Sequence, residues 1–170
     1  MALLQSSITL LTFSSFLASS FFVSTTKACS NCREPWVEFN GHCYLMVTDK
    51  RNFQDAENNC QSRSKSCRPS HLITVESEEE NLFLKNYTIA VFGPGHFALW
   101  IGLNNKAVSG DFVWVDGSEA TYRNFKTGEP SNNWGEDCVV LWYGEEWNDF
   151  PCSNDVEFVC KMPGRFSRYN

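Results

Sequence analysis

The pattern of apolar and polar residues predicts two helices in the first half of the chain. Phe53, Ala56 and Cys60 recur at helical spacing behind Asn52, a residue type that favours the N-cap position. A second helix is expected to begin at Ser77-Glu78-Glu79-Glu80, because this string has the form of a capping box with acidic residues at the positive end of the helix dipole. Its expected apolar face uses Leu82, Phe83 and Leu84.

Short apolar runs separated by turn residues predict strands in the rest of the chain. The first two flank Asn40-Gly41, a dipeptide that is a strong hairpin signal. The other predicted strands are 71–75, 98–103, 112–115, 139–143 and 156–162. Residues 116–137 have little periodicity but many Gly, Pro, Asn, Trp and acidic residues, and long loops of this kind often carry function.

The two ends of the chain differ in composition from the part between them. Residues 1–28 are apolar with many Ser and Thr and a single charge at Lys27, which is typical of a secretory signal peptide. A membrane anchor is the alternative, since the stretch is nearly long enough to span a bilayer. We expect a folded domain at 29–162, a short tail at 163–170 and no membrane span in the mature protein, which would be secreted and extracellular.

Charge and cysteine content narrow the class of protein. The chain has 170 residues, a formal net charge of −6 and eight Cys. The acidic balance argues against a nucleic-acid partner, because such affinity depends on Lys and Arg neutralising phosphates. Disulfides are the default for eight Cys in an oxidising compartment. Asn86-Tyr87-Thr88 is an N-glycosylation sequon, and whether it is used stays open.

One stretch of the second half is rich in oxygen donors. Glu129, Glu136 and Asp149 are joined by the hydroxyl of Ser131 and the amide of Asn148, and no basic residue lies between Glu129 and Asp149. Hard oxygen ligands suit Ca²⁺, whereas Zn²⁺ would favour Cys and His. A solvated acidic loop would also account for the same residues.

Three motifs of the second half, taken in order, resemble those of C-type lectin domains. They are Trp100-Ile101-Gly102-Leu103, then Glu129-Pro130-Ser131 with Glu136-Asp137-Cys138, then Trp147-Asn148-Asp149. The resemblance covers nearly all of the chain after residue 28. It implies an α+β C-type lectin fold, with two helices flanking small antiparallel sheets, a long calcium-binding loop region and disulfide staples.

The resemblance also implies a function and its residues. A Ca²⁺ ion would keep coordination positions open for two neighbouring sugar hydroxyls, next to a cis proline at Pro130. The residues implied for both the metal and the carbohydrate are Glu129, Ser131, Glu136, Asn148 and Asp149. Trp134 is a further carbohydrate candidate, because it could stack on a sugar ring; packing of the loop is its alternative role.

Two departures from the family pattern affect the expected ligands. Ser131 stands where the commonest motifs have Asn, associated with mannose-type sugars, or Asp, associated with galactose-type sugars. Whether the domain prefers mannose or fucose on the one hand, or galactose on the other, therefore stays open. Asn105, Ser109 and Asn132 stand where many members have acidic ligands, so a second tight Ca²⁺ site is not expected.

The cysteine framework of the family implies three bridges. They are Cys32 with Cys43, Cys60 with Cys160, and Cys138 with Cys152. Cys29 and Cys67 are left over, and either an intrachain bond or an interchain bond that makes a homo-oligomer would use them.

Two rival functions remain beside a lectin. A domain of the same fold could bind a protein, ice or mineral surface without sugar specificity. An enzyme is not expected, because Glu129 and Glu136 are already explained by calcium and no His accompanies a candidate nucleophilic Ser.

Overall fold

The computed structural model describes residues 32–66, 68–105, 110–133, 135–143 and 145–164. The expectations for the 1–28 signal segment, Cys29, Cys67, Ser109, Trp134 and the tail beyond residue 164 fall outside these residues. No helix in the described part of the chain is both long and apolar enough to cross a membrane.

The described residues form ten helices and strands, and the predicted α+β fold with two helices is confirmed. In chain order they are β1 Val37–Phe39, β2 His42–Arg51, α1 Phe53–Ser62, β3 His71–Leu72, α2 Glu78–Phe92, β4 Ala98–Asn104, β5 Val113–Trp114, β6 Cys138–Trp142, β7 Glu146–Phe150 and β8 Val156–Pro163. The sheet order is β1-β2-β8-β4-β6-β7, with β3 on β8 and β5 on β4. A parallel pairing of β4 with β8 joins the antiparallel parts into one mixed sheet.

Local sequence signals account for most element boundaries. The Asn52 side chain accepts the N–H of Asp55 at 3.0 Å, and the Ser77 hydroxyl accepts that of Glu80 at 3.2 Å, so both predicted N-caps are present. Asn40 and Gly41 have φ of 43° and 74°, the left-handed conformations that an Asn-Gly hairpin requires.

The apolar face predicted for α2 is wrong in one residue. Leu84 is fully buried, but Leu82 is 53% exposed. Three consecutive residues cannot share one face of a helix, because each advances by about 100°. The buried residues of α2 are instead Glu80, Asn81, Leu84 and Thr88.

The sheet has a core cluster on each face, and each of three disulfides starts from an interior strand, β2, β8 or β6. One cluster contains Trp114 and Trp147, and the other contains Phe53, Trp100 and Phe158. The three implied disulfides, Cys32–Cys43, Cys60–Cys160 and Cys138–Cys152, are all present.

The last strand returns to the start of the domain. His42 pairs with Pro163 at the beginning of β2. Beyond that pair, the Gly164 N–H donates to the Gly41 carbonyl at 2.7 Å. The first and last described residues are therefore both held against the same end of β2.

Candidate metal centre

The candidate ligands lie on two segments, the loop at 125–137 and the edge strand β7. The Glu129–Pro130 peptide bond is cis, as the resemblance implies. The hydrophobic pattern did not predict the strand β7, because its inward positions alternate between an aromatic residue, Trp147, and a charged one, Asp149. Only the family resemblance implied that Asn148 and Asp149 come from a strand. Both of these side chains have no exposed surface.

The buried carboxylate of Asp149 connects the two segments. One of its oxygens accepts the backbone N–H of Ser131 at 3.1 Å, and the other accepts that of Asn132 at 2.6 Å. Asn132 has φ of 50°, so the loop turns sharply at this point. Asp149 thus orients the backbone of the loop through both of its carboxylate oxygens.

The Ser131 hydroxyl lies between two carboxylates. It donates to Glu136 Oε2 at 3.0 Å, lies 3.5 Å from Asp149 Oδ2, and accepts from the Asn133 amide at 2.8 Å. The structure therefore brings Ser131, Glu136 and Asp149 together. The Asn148 amide donates to the backbone carbonyl of its neighbour Asp149 at 2.8 Å, and none of the described hydrogen bonds joins it to Ser131 or Glu136.

Glu129 supplies the observation that bears most directly on a cation. Its Oε2 atom is buried and has no hydrogen-bond partner among the described residues. A buried carboxylate oxygen without a partner is costly, because its desolvation is not compensated. A bound cation would compensate it, so this residue fits a metal ligand.

The donor set as a whole fits a hard cation. It consists of carboxylate, hydroxyl and amide oxygens, with no sulfur and no imidazole, which is the chemistry of Ca²⁺ ligation. Within the described ranges, no three His, Cys, Asp or Glu side chains stand ready as a metal cluster. The carboxylates of Glu129, Glu136 and Asp149 therefore do not converge on a single point in this structure.

Residues outside the motifs hold Trp147, which sequence analysis did not anticipate. The Trp147 indole N–H donates to Asn81 Oδ1 at 2.8 Å, and the Trp147 backbone N–H donates to the Asn124 carbonyl at 2.8 Å. The signal for Asn81 was its position three residues before the buried Leu84 on α2. Asn124 belongs to Tyr122-Arg123-Asn124-Phe125, a string that resembles a core and loop marker of the C-type lectin domains.

The residues expected to disfavour a second calcium site are only partly described. Asn105 is 8% exposed, its Oδ1 has no partner among the described residues, and its backbone N–H donates to the Asp137 carbonyl at 2.9 Å. The absence of a second tight site stays a prediction. Asn86 is exposed on α2, and its use as a glycosylation site also stays a prediction.

Comparisons with known proteins define the class. Residues 49–162 match the sequence family described as Lectin C-type domain. The chain belongs to the C-type lectin domain family.

Particular relatives sharpen this assignment. The chain is 35% identical over 131 residues to the alpha-N-acetylgalactosamine-specific lectin of Patiria pectinifera, covering 75% of this chain and 77% of that protein. The structure is similar to the C-type lectin CEL-I from Cucumaria echinata, with a TM-score of 0.73, 31% identity and coverage of 78% of this chain and 98% of that one. A calcium-independent type II antifreeze protein shares the fold, with a TM-score of 0.68, 23% identity and coverage of 78% and 95%.

Proposed function

We propose that the protein is a secreted, calcium-dependent carbohydrate-binding protein that binds paired sugar hydroxyls and has no catalytic activity. The observation that carries the proposal is the buried, unpartnered Oε2 of Glu129, in the same loop as Ser131 and Glu136. A bound cation would compensate the desolvation of this carboxylate oxygen. The match to lectin relatives supports the same function.

Five residues would hold the ion: Glu129, Ser131, Glu136, Asn148 and Asp149. Bound Ca²⁺ supplies positive charge and free coordination positions for neutral hydroxyl oxygens. Around it, the carboxylates of Glu129 and Glu136 accept hydrogen bonds from the sugar, and the Asn148 amide donates one. Ser131 can do either, because a hydroxyl both donates and accepts.

The choice between mannose or fucose and galactose depends on Ser131 and Trp134. The Patiria relative is named for N-acetylgalactosamine, which favours a galactose-type sugar as the first probe. Trp134 would then stack on the apolar face of the ring. Binding of one sugar at one site is weak in such proteins, so a homo-oligomer linked through Cys29 or Cys67 would gain affinity by avidity.

The decisive experiment measures binding to immobilised N-acetylgalactosamine, galactose, mannose and fucose, with Ca²⁺ and with a chelator. We expect retention on one of these resins that the chelator reverses. Glu129→Gln should abolish retention, because a neutral amide replaces the unpartnered carboxylate. Glu119→Gln is the matched control, since Glu119 is exposed and lies outside the donor set.

A domain that binds a protein or mineral surface without sugar is the second candidate. Two observations support it: the calcium-independent antifreeze protein has the same fold, and the described residues contain no ready-made acidic cluster. Failure to retain any glycan with Ca²⁺ at saturation would refute the lectin proposal and leave this candidate.

A further inference from the structure

Four residues from three parts of the chain form a closed ring of hydrogen bonds that includes Trp147, the neighbour of the candidate ligands Asn148 and Asp149. The Trp147 indole donates to Asn81 Oδ1, and the Asn81 amide donates to the Glu145 carbonyl at 2.9 Å. The Asn124 amide donates to the same carbonyl at 2.8 Å, and the Asn124 carbonyl accepts the Trp147 backbone N–H. We call Asn81, Asn124, Glu145 and Trp147 the amide clamp.

Asn81 is the buried member of the clamp that comes from α2. It is 5% exposed and lies on the inward face of that helix, with Leu84 and Thr88. Its side chain uses both its acceptor and its donor, toward two points 64 and 66 residues away. An apolar residue would fill this space, but it would not fix the rotation of the indole, because only a directional bond does so.

The Trp147 ring packs against three other aromatic rings in addition to its hydrogen bonds. Its ring meets the rings of Trp114, Tyr122 and Phe125 edge-on, with centroids 5.6–5.8 Å apart. Asn148 and Asp149 follow it directly in β7. A change in the orientation of Trp147 therefore displaces the strand arm of the candidate site.

The same residue also sets the loop arm. The Trp147 carbonyl accepts the N–H of Lys126 at 3.0 Å, and the Lys126 carbonyl accepts the N–H of Glu129 at 2.9 Å. Only two backbone hydrogen bonds thus separate Trp147 from Glu129. The amide clamp therefore holds the residue to which both arms of the candidate site are connected. One arm is Glu129 to Ser131, and the other is Asn148 to Asp149.

We propose that Asn81 is a positioning residue of the candidate calcium site, acting through Trp147 at a distance from any ligand. This inference rests on the proposed function. It goes beyond that function because it assigns a role in ion affinity to a residue of α2. In the hydrogen bonds described, Asn81 contacts none of the candidate ligands.

The test compares Ca²⁺ affinity and stability in matched variants. Asn81→Leu should weaken Ca²⁺ binding, measured by calorimetry, by roughly tenfold. Thr88→Val is the control, because Thr88 is equally buried on α2 and its hydroxyl bonds only to the Leu84 carbonyl. Thr88→Val should lower the unfolding temperature but leave Ca²⁺ affinity within about twofold, since its loss is purely structural.

A double-mutant cycle separates the clamp from general packing. In a Trp147→Phe background the indole N–H is gone, so Asn81→Leu should cause little further loss of Ca²⁺ affinity. A full tenfold additional loss there would overturn the proposed route through Trp147. Wild-type affinity in a folded Asn81→Leu protein would overturn the proposal outright.

Two further measurements keep the test decisive. If Asn81→Leu does not fold, Asn124→Ala is the replacement variant. It removes the second amide bond to the Glu145 carbonyl at a half-buried position and should weaken Ca²⁺ binding about threefold. Unchanged affinity would count against the clamp.

If the wild-type protein binds no Ca²⁺, the proposed function fails. Hydrogen exchange of the Lys126 and Asn132 amides then tests the clamp alone, with faster exchange expected in Asn81→Leu and unchanged exchange contradicting it.

Discussion

The carboxylate of Asp149 accepts the backbone N–H of Asn132 at 2.6 Å, across 17 residues of chain. With its second bond, to Ser131, this contact makes Asp149 a structural cap for the loop as well as a candidate ligand. The two roles imply that one substitution should affect both the loop and the ion.

Asp149→Ala should abolish Ca²⁺ binding and sugar retention together and should also lower stability by about 1–3 kcal/mol, because two loop N–H groups lose their acceptor. Calorimetry and denaturant unfolding measure the two effects. Asp155→Ala is the control, as Asp155 is exposed and lies outside the site. Sugar binding retained in Asp149→Ala would contradict a shared site.

Ser131 tests the departure from the commonest family motifs. Ser131→Ala removes the hydroxyl that bridges Glu136 and Asp149, and we expect roughly fivefold weaker Ca²⁺ binding, which corresponds to about 1 kcal/mol for one exposed hydrogen bond. Ser131→Asn introduces the residue of the mannose-type motif, whose side-chain oxygen reaches further, and should strengthen Ca²⁺ binding. A glycan array of the three proteins would show whether sugar class follows residue 131, and identical Ca²⁺ affinities would exclude Ser131 as a ligand.

Glu76 makes stability depend on pH at a place remote from the donor set. Its pKa is lowered from 4.5, first because Lys161 donates a hydrogen bond to it and then because of the charge of Lys161; burial opposes the shift. The contribution of Glu76 is thus complete above its unfolded pKa and is lost as pH falls through the lower folded value. Unfolding temperatures of Glu76→Gln should decline less than those of wild type below about pH 4.5.

The control for that pH series is Glu119→Gln, at an exposed loop position away from the helix termini. It should follow the wild-type curve across the acid range. Parallel curves for Glu76→Gln and wild type would show that the Lys161 bond does not contribute to acid sensitivity.

Gly102 has a packing role that any side chain would disrupt. A Cβ at this position would lie 2.8 Å from the Leu72 carbonyl oxygen and 2.9 Å from Val115 Cγ2. Gly102→Ala should cost about 1–3 kcal/mol in the free energy of unfolding, because backbone atoms must move to make room. Chemical denaturation measures this loss of stability. A loss below about 0.5 kcal/mol would show that the segments carrying Leu72 and Val115 move away from residue 102 at little cost.

Sequence reasoning succeeded where the cause is local. The N-caps at Asn52 and Ser77 and the turn at Asn40 depend on residues three or fewer positions apart, so their patterns are visible in the chain. The three disulfides were implied by family resemblance, since counting alone does not pair eight cysteines.

Sequence reasoning failed where the cause is distant. The strand β7 carries a buried carboxylate whose partners are backbone groups of another segment, so Asp149 looks like a surface residue in the pattern. The pattern gives no sign that Asn81 is special, because its bonds to Glu145 and Trp147 form only when α2 lies against the β6–β7 pair. Leu82 was misassigned by composition, since three adjacent apolar residues suggest a face that helix geometry does not allow.

The return of β8 to the start of β2 determines how the domain bears mechanical load. A force that pulls residues 32 and 164 apart would peel β8 away one pair at a time, beginning at His42 and Pro163. Peeling would reach Cys160, where the covalent bridge to Cys60 anchors the strand to α1. The covalent path between the two ends then runs through the stretch from Cys43 to Cys60 and the residues after Cys160, so only these can extend under tension. The loop and edge strand that carry the candidate ligands lie inside the loop closed by Cys60–Cys160 and remain outside the path of the force.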